Sequence, residues 1–296
     1  MLNGLDHIAI RVEDLQAATR TYTVLLGRSP AWRGEQPAEG TANAIFRLRN
    51  TSVALVATGA ELAGAAEGRR RGPARPHAEA AGEGLAALAF GTDDAEAAVA
   101  TCCARGLDVG PPVAGLSHDT DSGAFRRYET LDLPPAQTGG VPLHLVAHRS
   151  PEALLQPGPL CATPEAAAAS LDHVVVMTPA PERAIALYRD QLGIRLALDR
   201  SFEARGVRLL FFRTGGTTIE VGASLAADPA KAPRAPGEDR LFGAAYRVDD
   251  LDAARARLVE TGVDVSGVRA GHKPGTRVFT VKGETHGVPT LVIGDD

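Results

Sequence analysis

The side chains best suited to chemistry are histidines and one glutamate in otherwise apolar segments. His7 and His173 each follow an aspartate within such a segment, and Glu220 stands between Ile219 and Val221. An imidazole can bind a metal ion or transfer a proton, although a buried histidine held by hydrogen bonds is the ordinary arrangement. A carboxylate inside a strand is costly to bury without a cation, and strand alternation allows it to face either side. The residue types alone leave both roles open.

Other catalytic signatures are absent from the sequence. It has no phosphate-binding P-loop, no Gly-x-Gly-x-x-Gly after a first strand and no Gly-x-Ser-x-Gly nucleophile elbow. The formal net charge of −5 provides no basic excess to neutralise phosphates, which argues against nucleic acid as the main partner. No apolar stretch approaches the roughly 20 residues of a membrane span, and no secretory signal begins the chain. We therefore expect a cytoplasmic protein without a membrane partner.

The segments that carry these residues occur twice in the chain. The segment Leu5–Ile10 returns 166 residues later as Leu171–Val176, with Asp-His inside each copy. A second pair of similar segments, 92–98 and 248–254, is offset by 156 residues. An offset that is constant over long stretches is typical of internal duplication. The sequence thus contains two homologous halves.

Each half divides again into two similar quarters. In the third quarter, Ile185, Tyr188 and Leu192 recur at helical spacing between Pro181 and Gly193, which predicts a helix with a proline start and a glycine end. Strands over 208–213 and 217–221 are predicted to be joined by a Gly-Gly hairpin turn. A strand, a helix and about three more strands repeat in every quarter. The predicted fold is α+β, with four βαβββ modules.

The length and the loop composition define the expected domains. A chain of 296 residues is long enough for two cores. We expect a first domain over 1–149, a linker rich in proline and alanine over 150–169, and a second domain over 170–296. Two loops, 59–84 and 222–240, are rich in Ala, Gly and Pro, and loops of this kind beside a repeated scaffold commonly determine substrate specificity.

Four such modules with a histidine in a first strand resemble the vicinal oxygen chelate superfamily, the group of glyoxalases, bleomycin-resistance proteins and extradiol dioxygenases. The most specific motifs are Leu-Asp-His at the start of both halves, helices that end in Leu-Leu-Gly and Gln-Leu-Gly, and Val-Asp-Asp-Leu-Asp-Ala near the end. The resemblance extends from Leu5 to Ile293, apart from the linker and the two long loops. It implies two glyoxalase-like domains with cupped mixed sheets and flanking helices.

The resemblance also implies where metal ligands would lie. In that family His and Glu from the first and last strands of each module bind the metal and leave positions open for substrate oxygens. On those positions the four modules of this chain carry, in order, His7 and Ala54, Ala87 and His144, His173 and Glu220, Gly243 and Leu291. No pair of modules carries a full set of four ligands, which is a departure from the glyoxalase pattern.

The pairing of modules decides which ligands meet. If each half closes on itself, one site has His7 with His144 and the other has His173 with Glu220. If modules pair across the halves, as in some relatives, His144, His173 and Glu220 form a set of two imidazoles and one carboxylate. That set suits one divalent ion, Fe(II), Zn, Mn or Ni. We favour the crossed arrangement because it assembles three ligands.

Further roles follow from the same resemblance. The metal would act as a Lewis acid on two adjacent substrate oxygens, and Glu220 would serve beside it in proton transfer, with Tyr246 as a second catalytic group. Arg213, Lys273 and Arg277 are candidate substrate-binding cations, although Lys273 and Arg277 also fit solvated loop charges.

Two classes of function are compatible with these features. The leading hypothesis is a metal-dependent enzyme, a glyoxalase-like lyase or isomerase or a dioxygenase, that acts on a small oxygenated substrate as a monomer or homodimer. The alternative is a metal-free protein that binds or sequesters a small molecule, as bleomycin-resistance relatives do. Its motivation is the set of ligand positions that hold no ligand: Ala54, Ala87, Gly243 and Leu291.

Overall fold

The computed structural model describes residues 2–36, 40–58, 82–225 and 238–296. Residues 59–81 and 226–237, which make up most of the two long loops, lie outside the described residues. The prediction that these loops determine specificity therefore concerns residues outside those described. None of the helices in the described ranges is long and apolar enough to cross a membrane.

The first half consists of two βαβββ modules whose strands close into one barrel. Its strands follow the order β1-β4-β3-β2-β6-β7-β8-β5 around the barrel. The first module contains β1 (Leu2–Arg11), α1 (Leu15–Leu26), β2 (Trp32–Gln36), β3 (Thr41–Arg47) and β4 (Ser52–Thr58). The second contains β5 (Gly84–Thr92), α2 (Ala95–Ala104), β6 (Val113–Asp119), β7 (Phe125–Asp132) and β8 (Leu143–His148).

The second half repeats the same order of elements in an open sheet of eight strands, β10-β11-β12-β9-β13-β16-β15-β14. Its first module contains β9 (Ala168–Met177), α3 (Pro181–Ile185), a π-helical continuation (Ala186–Gln191), β10 (Arg195–Phe202), β11 (Val207–Thr214) and β12 (Thr217–Ser224). Its second contains β13 (Arg240–Val248), α4 (Leu251–Glu260), β14 (Arg269–Ala270), β15 (Thr276–Val281) and β16 (Thr290–Asp295). The α+β fold of four βαβββ modules is thereby confirmed.

The modules pair within each half. Strand β1 is antiparallel to β5, and β9 is antiparallel to β13. Strand β8 has β5 and β7 as its neighbours, both from the first half. The crossed pairing of the second and third modules is therefore wrong. Modules that follow each other in sequence pair most readily, because consecutive elements are usually neighbours in space.

Aspartates begin three of the helices and fix where they start. The side chains of Asp14, Asp94 and Asp250 each accept a hydrogen bond from the backbone N–H three residues later, at 2.8, 3.0 and 2.9 Å. Such caps satisfy donors that the first helical turn leaves open. Helix α1 ends at Gly27, whose φ of 65° favours glycine. These three helices thus begin directly after an aspartate that lies two or three residues beyond the first strand of its module.

The two halves share one apolar core and a polar contact at Asn50. The hydrophobic cluster contains buried residues of both halves, for example Ile8 and Val174. The Asn50 side chain accepts a hydrogen bond from the backbone N–H of Leu171 at 3.0 Å. Its amide donates to the Leu171 carbonyl at 2.8 Å and to the Thr217 hydroxyl at 2.8 Å. Asn50 therefore joins the β3–β4 turn of the first half to β9 and the β11–β12 turn of the second.

Replacing Asn50 with Ala is expected to lower the free energy of unfolding by about 2 kcal/mol, because it leaves backbone groups of the other half without partners. Asn3→Ala is the matched control, since Asn3 makes one exposed hydrogen bond, to Asp93. Its effect is expected to stay within about 0.5 kcal/mol. Denaturant unfolding of the two variants measures the difference, and equal midpoints would contradict the role of Asn50.

Candidate functional site

A cavity lined by both polar and apolar side chains occupies the lumen of the first-half barrel. It encloses about 860 Å³ of space, its open mouth included. Alanines on the central strands leave this room, and polar side chains surround it. The lining residues include Asp6, His7, Ala9, Gln36, Ala54, Ala87, Ala89, Ser117, Arg126, Tyr128, His144 and His148.

The strand register brings the four family positions of the first half to this lumen. Ala9 pairs with Ala54 on β4 and with Ala87 on β5. Ala89 pairs with His7 on one side and with His144 on the other. Because side chains alternate along a strand, residues paired in this way share one face. Two of the four positions hold imidazoles and the other two hold alanines.

A β-bulge in β1 directs two consecutive polar residues into the lumen. Leu5 pairs with Phe90 and His7 with Ala89, so Asp6 is an extra residue in its strand. The Asp6 carboxylate lies 2.7 Å from His7 Nδ1 and, through its other oxygen, 2.7 Å from His148 Nε2. One carboxylate therefore orients two imidazole rings.

The environment of Asp6 keeps its carboxylate ionised. Burial by itself would raise the pKa of Asp6. The hydrogen bonds from His148 and His7, with the attraction of both rings, outweigh burial and hold the pKa of Asp6 well below its usual range. Asp6 is thus an acceptor for both rings rather than a proton donor.

His144, like His7, is held by a carboxylate. It is 6% exposed, and its Nδ1 lies 2.7 Å from the Asp132 carboxylate. A carboxylate on Nδ1 favours the tautomer with its lone pair on Nε2, which is how metal-binding histidines are commonly held. His7 and His144 therefore provide two imidazoles on one cavity, one nitrogen ligand fewer than a usual catalytic zinc site provides.

Arg126 and His148 place a cation and a third imidazole beside these groups. The Arg126 side chain lies on the Trp32 ring, with Cζ 5.2 Å from the ring centroid. Its Nη2 lies 3.4 Å from His148 Nδ1. Burial lowers the pKa of Arg126, but a guanidinium stays charged near neutral pH. His148 itself is partly exposed, which places it near solvent at the edge of the cavity.

The second half has the same bulge with a different partner for its aspartate. Leu171 pairs with Tyr246 and His173 with Ala245, so Asp172 is the extra residue. His173 Nδ1 lies 3.0 Å from Asp172, and His173 Nε2 lies 3.8 Å from the Glu220 carboxylate.

Arg247, on β13, donates to Asp172 at 2.9 Å, whereas the second partner of Asp6 is His148 on β8. Burial would raise the pKa of Asp172, but hydrogen bonds from His173 and Arg247 lower it to about 2. On the same sheet face the fourth module presents a buried apolar cluster of Ala245, Val278 and Ile293. The surroundings of His173 and Glu220 are therefore less polar than the lumen of the first half.

The predicted set of three metal ligands is not assembled. His144 lies in the first-half barrel, whereas His173 and Glu220 belong to the sheet of the second half. Tyr246 also departs from expectation, because it points into the core shared by the halves and is 1% exposed. Burial raises the pKa of its phenol. The prediction of Tyr246 as a second catalytic group is thus corrected, because its side chain lies in the core and not on the face that carries His173.

The three predicted substrate-binding cations lie away from the lumen of the first half. Arg277 donates to Asp252 in the first turn of α4, at 3.1 Å. Lys273 is exposed in the turn before β15. Arg213, at the end of β11, borders a groove between the halves that Arg105 and Arg195 also line. Their substrate-binding role stays a prediction.

Sequence reasoning missed Asp6, Asp132, Arg126 and His148. Two signals for them exist in the sequence: the aspartate inside Leu-Asp-His, and the even spacing of His144 and His148, which predicts one face of a strand. For Arg126 and Asp132 there is no such signal, because their position depends on closure of the barrel through β7 and β8.

A further group of potential ligands lies where the halves meet. Single ligand atoms of Glu83, Glu284 and His286 all lie within 4.8 Å of one another. His286 Nδ1 is 2.9 Å from Glu83, and its backbone N–H donates to Glu284 at 2.6 Å. These contacts link the segment before β5 to the segment before β16.

Comparisons with known proteins agree with this architecture. The family model described as "Glyoxalase-like domain" matches residues 5–163. The model described as "Glyoxalase/Bleomycin resistance protein/Dioxygenase superfamily" matches residues 172–280. The chain is similar to the ethylmalonyl-CoA/methylmalonyl-CoA epimerase of Cereibacter sphaeroides, with 34% identity over 103 residues, 33% of this chain and 74% of the relative.

Two solved structures share the fold over nearly the whole length. A variant of 4-hydroxymandelate synthase from Streptomyces coelicolor matches with a TM-score of 0.66 and 16% identity, over 100% of this chain and 94% of the other. The Mn(II)-bound glyoxalase from Novosphingobium aromaticivorans matches with a TM-score of 0.61 and 15% identity, over 99% of this chain and 82% of the other. With a family model on each half and the four modules in order, the chain belongs to the vicinal oxygen chelate superfamily as a tandem protein.

Proposed function

We propose that the chain is an enzyme that acts on a small oxygenated molecule in the lumen of the first half. One divalent metal, Fe(II), Zn, Mn or Ni, would be held there by His7 and His144. The observation that carries the proposal is the placement of two imidazoles, each with Nδ1 on a carboxylate, at family ligand positions that face one cavity. The similarity to an epimerase supports an enzyme rather than a purely structural protein.

The metal, when bound, would act as a Lewis acid towards substrate oxygens. The two alanines at the remaining family positions, Ala54 and Ala87, leave space on the lumen side for the substrate itself. His7 and His144 are then positioned by Asp6 and Asp132, and a change at either carboxylate weakens ligand geometry rather than removing a ligand.

His148 is the proposed proton-transfer group. Its Nε2 contacts the ionised Asp6 at 2.7 Å, which places the ring proton on Nε2 and the lone pair on Nδ1. A carboxylate that fixes an imidazole in this tautomer is the usual preparation of a general base. The proposed reaction is therefore proton abstraction beside an oxygen-bearing carbon, as an isomerase, epimerase or lyase requires.

The second half is proposed not to carry the reaction centre. Its His173 and Glu220 are close enough to bind an ion weakly, but Asp172 is engaged by Arg247 and the neighbouring face is apolar. A reaction centre there would lack the polar lumen that the first half provides.

A metal-free binding protein is the second candidate function. The observation that favours it is the alanine floor of the cavity, since Ala54 and Ala87 stand where ligands would otherwise lie. In that case the two Asp–His pairs would act as hydrogen-bond partners for a sequestered molecule.

Solvent exchange distinguishes the two candidates. Methylmalonyl-CoA, dihydroxyacetone and 2-oxobutyrate are incubated in D₂O with metal-loaded protein and followed by NMR. The enzyme is expected to exchange C–H for C–D beside the oxygenated carbon of at least one compound, at a rate reduced at least about 100-fold in His148→Gln. His118→Gln, outside the cavity, serves as the control. Binding without exchange, unchanged by EDTA, would instead establish a binding protein.

A further inference from the structure

Arg126 is a buried cation without a carboxylate partner in the described part of the chain. It is 8% exposed, and its contacts there are the Trp32 ring and His148 Nδ1. Among the described residues no acidic oxygen lies within 4.0 Å of its guanidinium, the limit for an ion pair. Burial of a charge without a counter-ion is costly, so proteins usually pair such groups.

The nearest acid is already engaged. Asp6 attracts Arg126 at longer range but reaches it only through the His148 ring, and both of its oxygens contact imidazoles at 2.7 Å. The contact of Arg126 with His148 is long for a hydrogen bond, at 3.4 Å. A guanidinium has five N–H donors, and most of those of Arg126 are left for a partner in the cavity.

The cation is held in place before any ligand arrives. Trp32 is buried beneath it, and the indole N–H donates to Ser117 at 2.9 Å. Gln36 donates to the same hydroxyl at 2.8 Å. A guanidinium fixed on an aromatic face presents a planar pair of donors, which matches the geometry of a carboxylate.

We propose that Arg126 binds the carboxylate of the ligand, so that the lumen accepts small organic acids with a second oxygen near the carboxylate. The requirement for a second oxygen rests on the proposed function, whereas binding of the carboxylate does not. Because Arg126 contacts His148, a carboxylate on Arg126 lies beside the proposed proton-transfer group. The exchanged hydrogen is then on a carbon close to the carboxylate.

The chain contains one tryptophan, Trp32, so its emission reports on this position alone. Metal-free protein in EDTA is titrated with lactate, malonate and mandelate, each against its neutral amide, by Trp32 emission and by calorimetry. At least one acid is expected to bind at least 10-fold more tightly than its amide. Arg126→Gln is expected to lose that preference and Arg126→Lys to retain part of it.

Arg127→Gln is the matched control, because Arg127 is the next residue of β7 and is exposed. It is expected to keep the full preference for acids. Equal affinity for acid and amide throughout the panel, or a preference that persists in Arg126→Gln, would overturn the proposal. Folding of each variant is checked by circular dichroism. If Arg126→Gln does not fold, the test uses Arg126→Lys, which retains the charge and is expected to keep part of the preference. Acid binding without C–H exchange would leave this inference standing while the proposed enzyme activity fails.

Discussion

The His7→Ala and His144→Ala variants are each expected to bind Mn(II) at least about 100-fold more weakly than the wild-type protein. Each change removes one of the two nitrogen ligands in the lumen. Changes to groups that only orient a ligand already weaken binding by about 10–100-fold, so loss of a ligand costs more. Titration followed by the electron paramagnetic resonance signal of free Mn(II) measures the affinity.

His173→Ala is the matched control, because His173 occupies the equivalent position in the second half and has the same contact with an aspartate. Its Mn(II) affinity is expected to match that of the wild type. The opposite result, with binding lost in His173→Ala and kept in His7→Ala, would move the metal to the pair formed with Glu220 and reject the first-half site.

Ala54→Glu is expected to raise Mn(II) affinity by about 10-fold or more. Ala54 faces the lumen in register with Ala9, at a family position where a carboxylate ligand would lie. A glutamate there completes a set of two imidazoles and one carboxylate, which suits Mn(II) and Fe(II). Without metal the same carboxylate is buried and unpaired, so the metal-free variant is expected to be less stable by about 1–3 kcal/mol.

Ala54→Gln separates the charge from the size of the new side chain. It is expected to lower stability in the same direction without a gain in metal affinity. If the glutamate and glutamine variants bind Mn(II) equally, Ala54 does not face His7 and His144 as the strand register indicates. Calorimetric titration and thermal unfolding with and without Mn(II) provide both readouts.

Much of the architecture follows from the sequence because the chain repeats itself. The constant offset between His7 and His173 predicts two equivalent strands, and the structure contains them as β1 and β9. The same alignment places Ala54, Ala87 and His144 at the family ligand positions of the first half. The strand register brings these three residues to one face. The repeat therefore predicts the strands and the positions on them correctly.

The module pairing was predicted wrongly from the ligand positions, although consecutive elements are usually neighbours in space. The crossed arrangement is favoured by the sequence only in that it collects His144, His173 and Glu220 as one set of ligands. Hydrogen bonding between β1 and β5 decides the matter, because it pairs the first two modules within one half. Residues 59–81, between these two modules, lie outside the described residues.

The direction of individual side chains could not be predicted from the sequence either. Tyr246 follows Ala245, which faces the same side as His173, so alternation turns Tyr246 towards the core. The phase of a single strand is not encoded in its own residues. The bulges at Asp6 and Asp172 break that alternation, which explains why aspartate and histidine can be consecutive and still contact each other on one face.

Anomalous diffraction from crystals soaked in Mn(II) tests most directly whether the lumen of the first half is the metal site. A single dominant peak within bonding distance of His7 and His144 Nε2 is predicted. A dominant peak at His173 and Glu220, or beside Glu83, Glu284 and His286, would contradict it. So would the absence of any peak in crystals of protein that binds Mn(II) in solution.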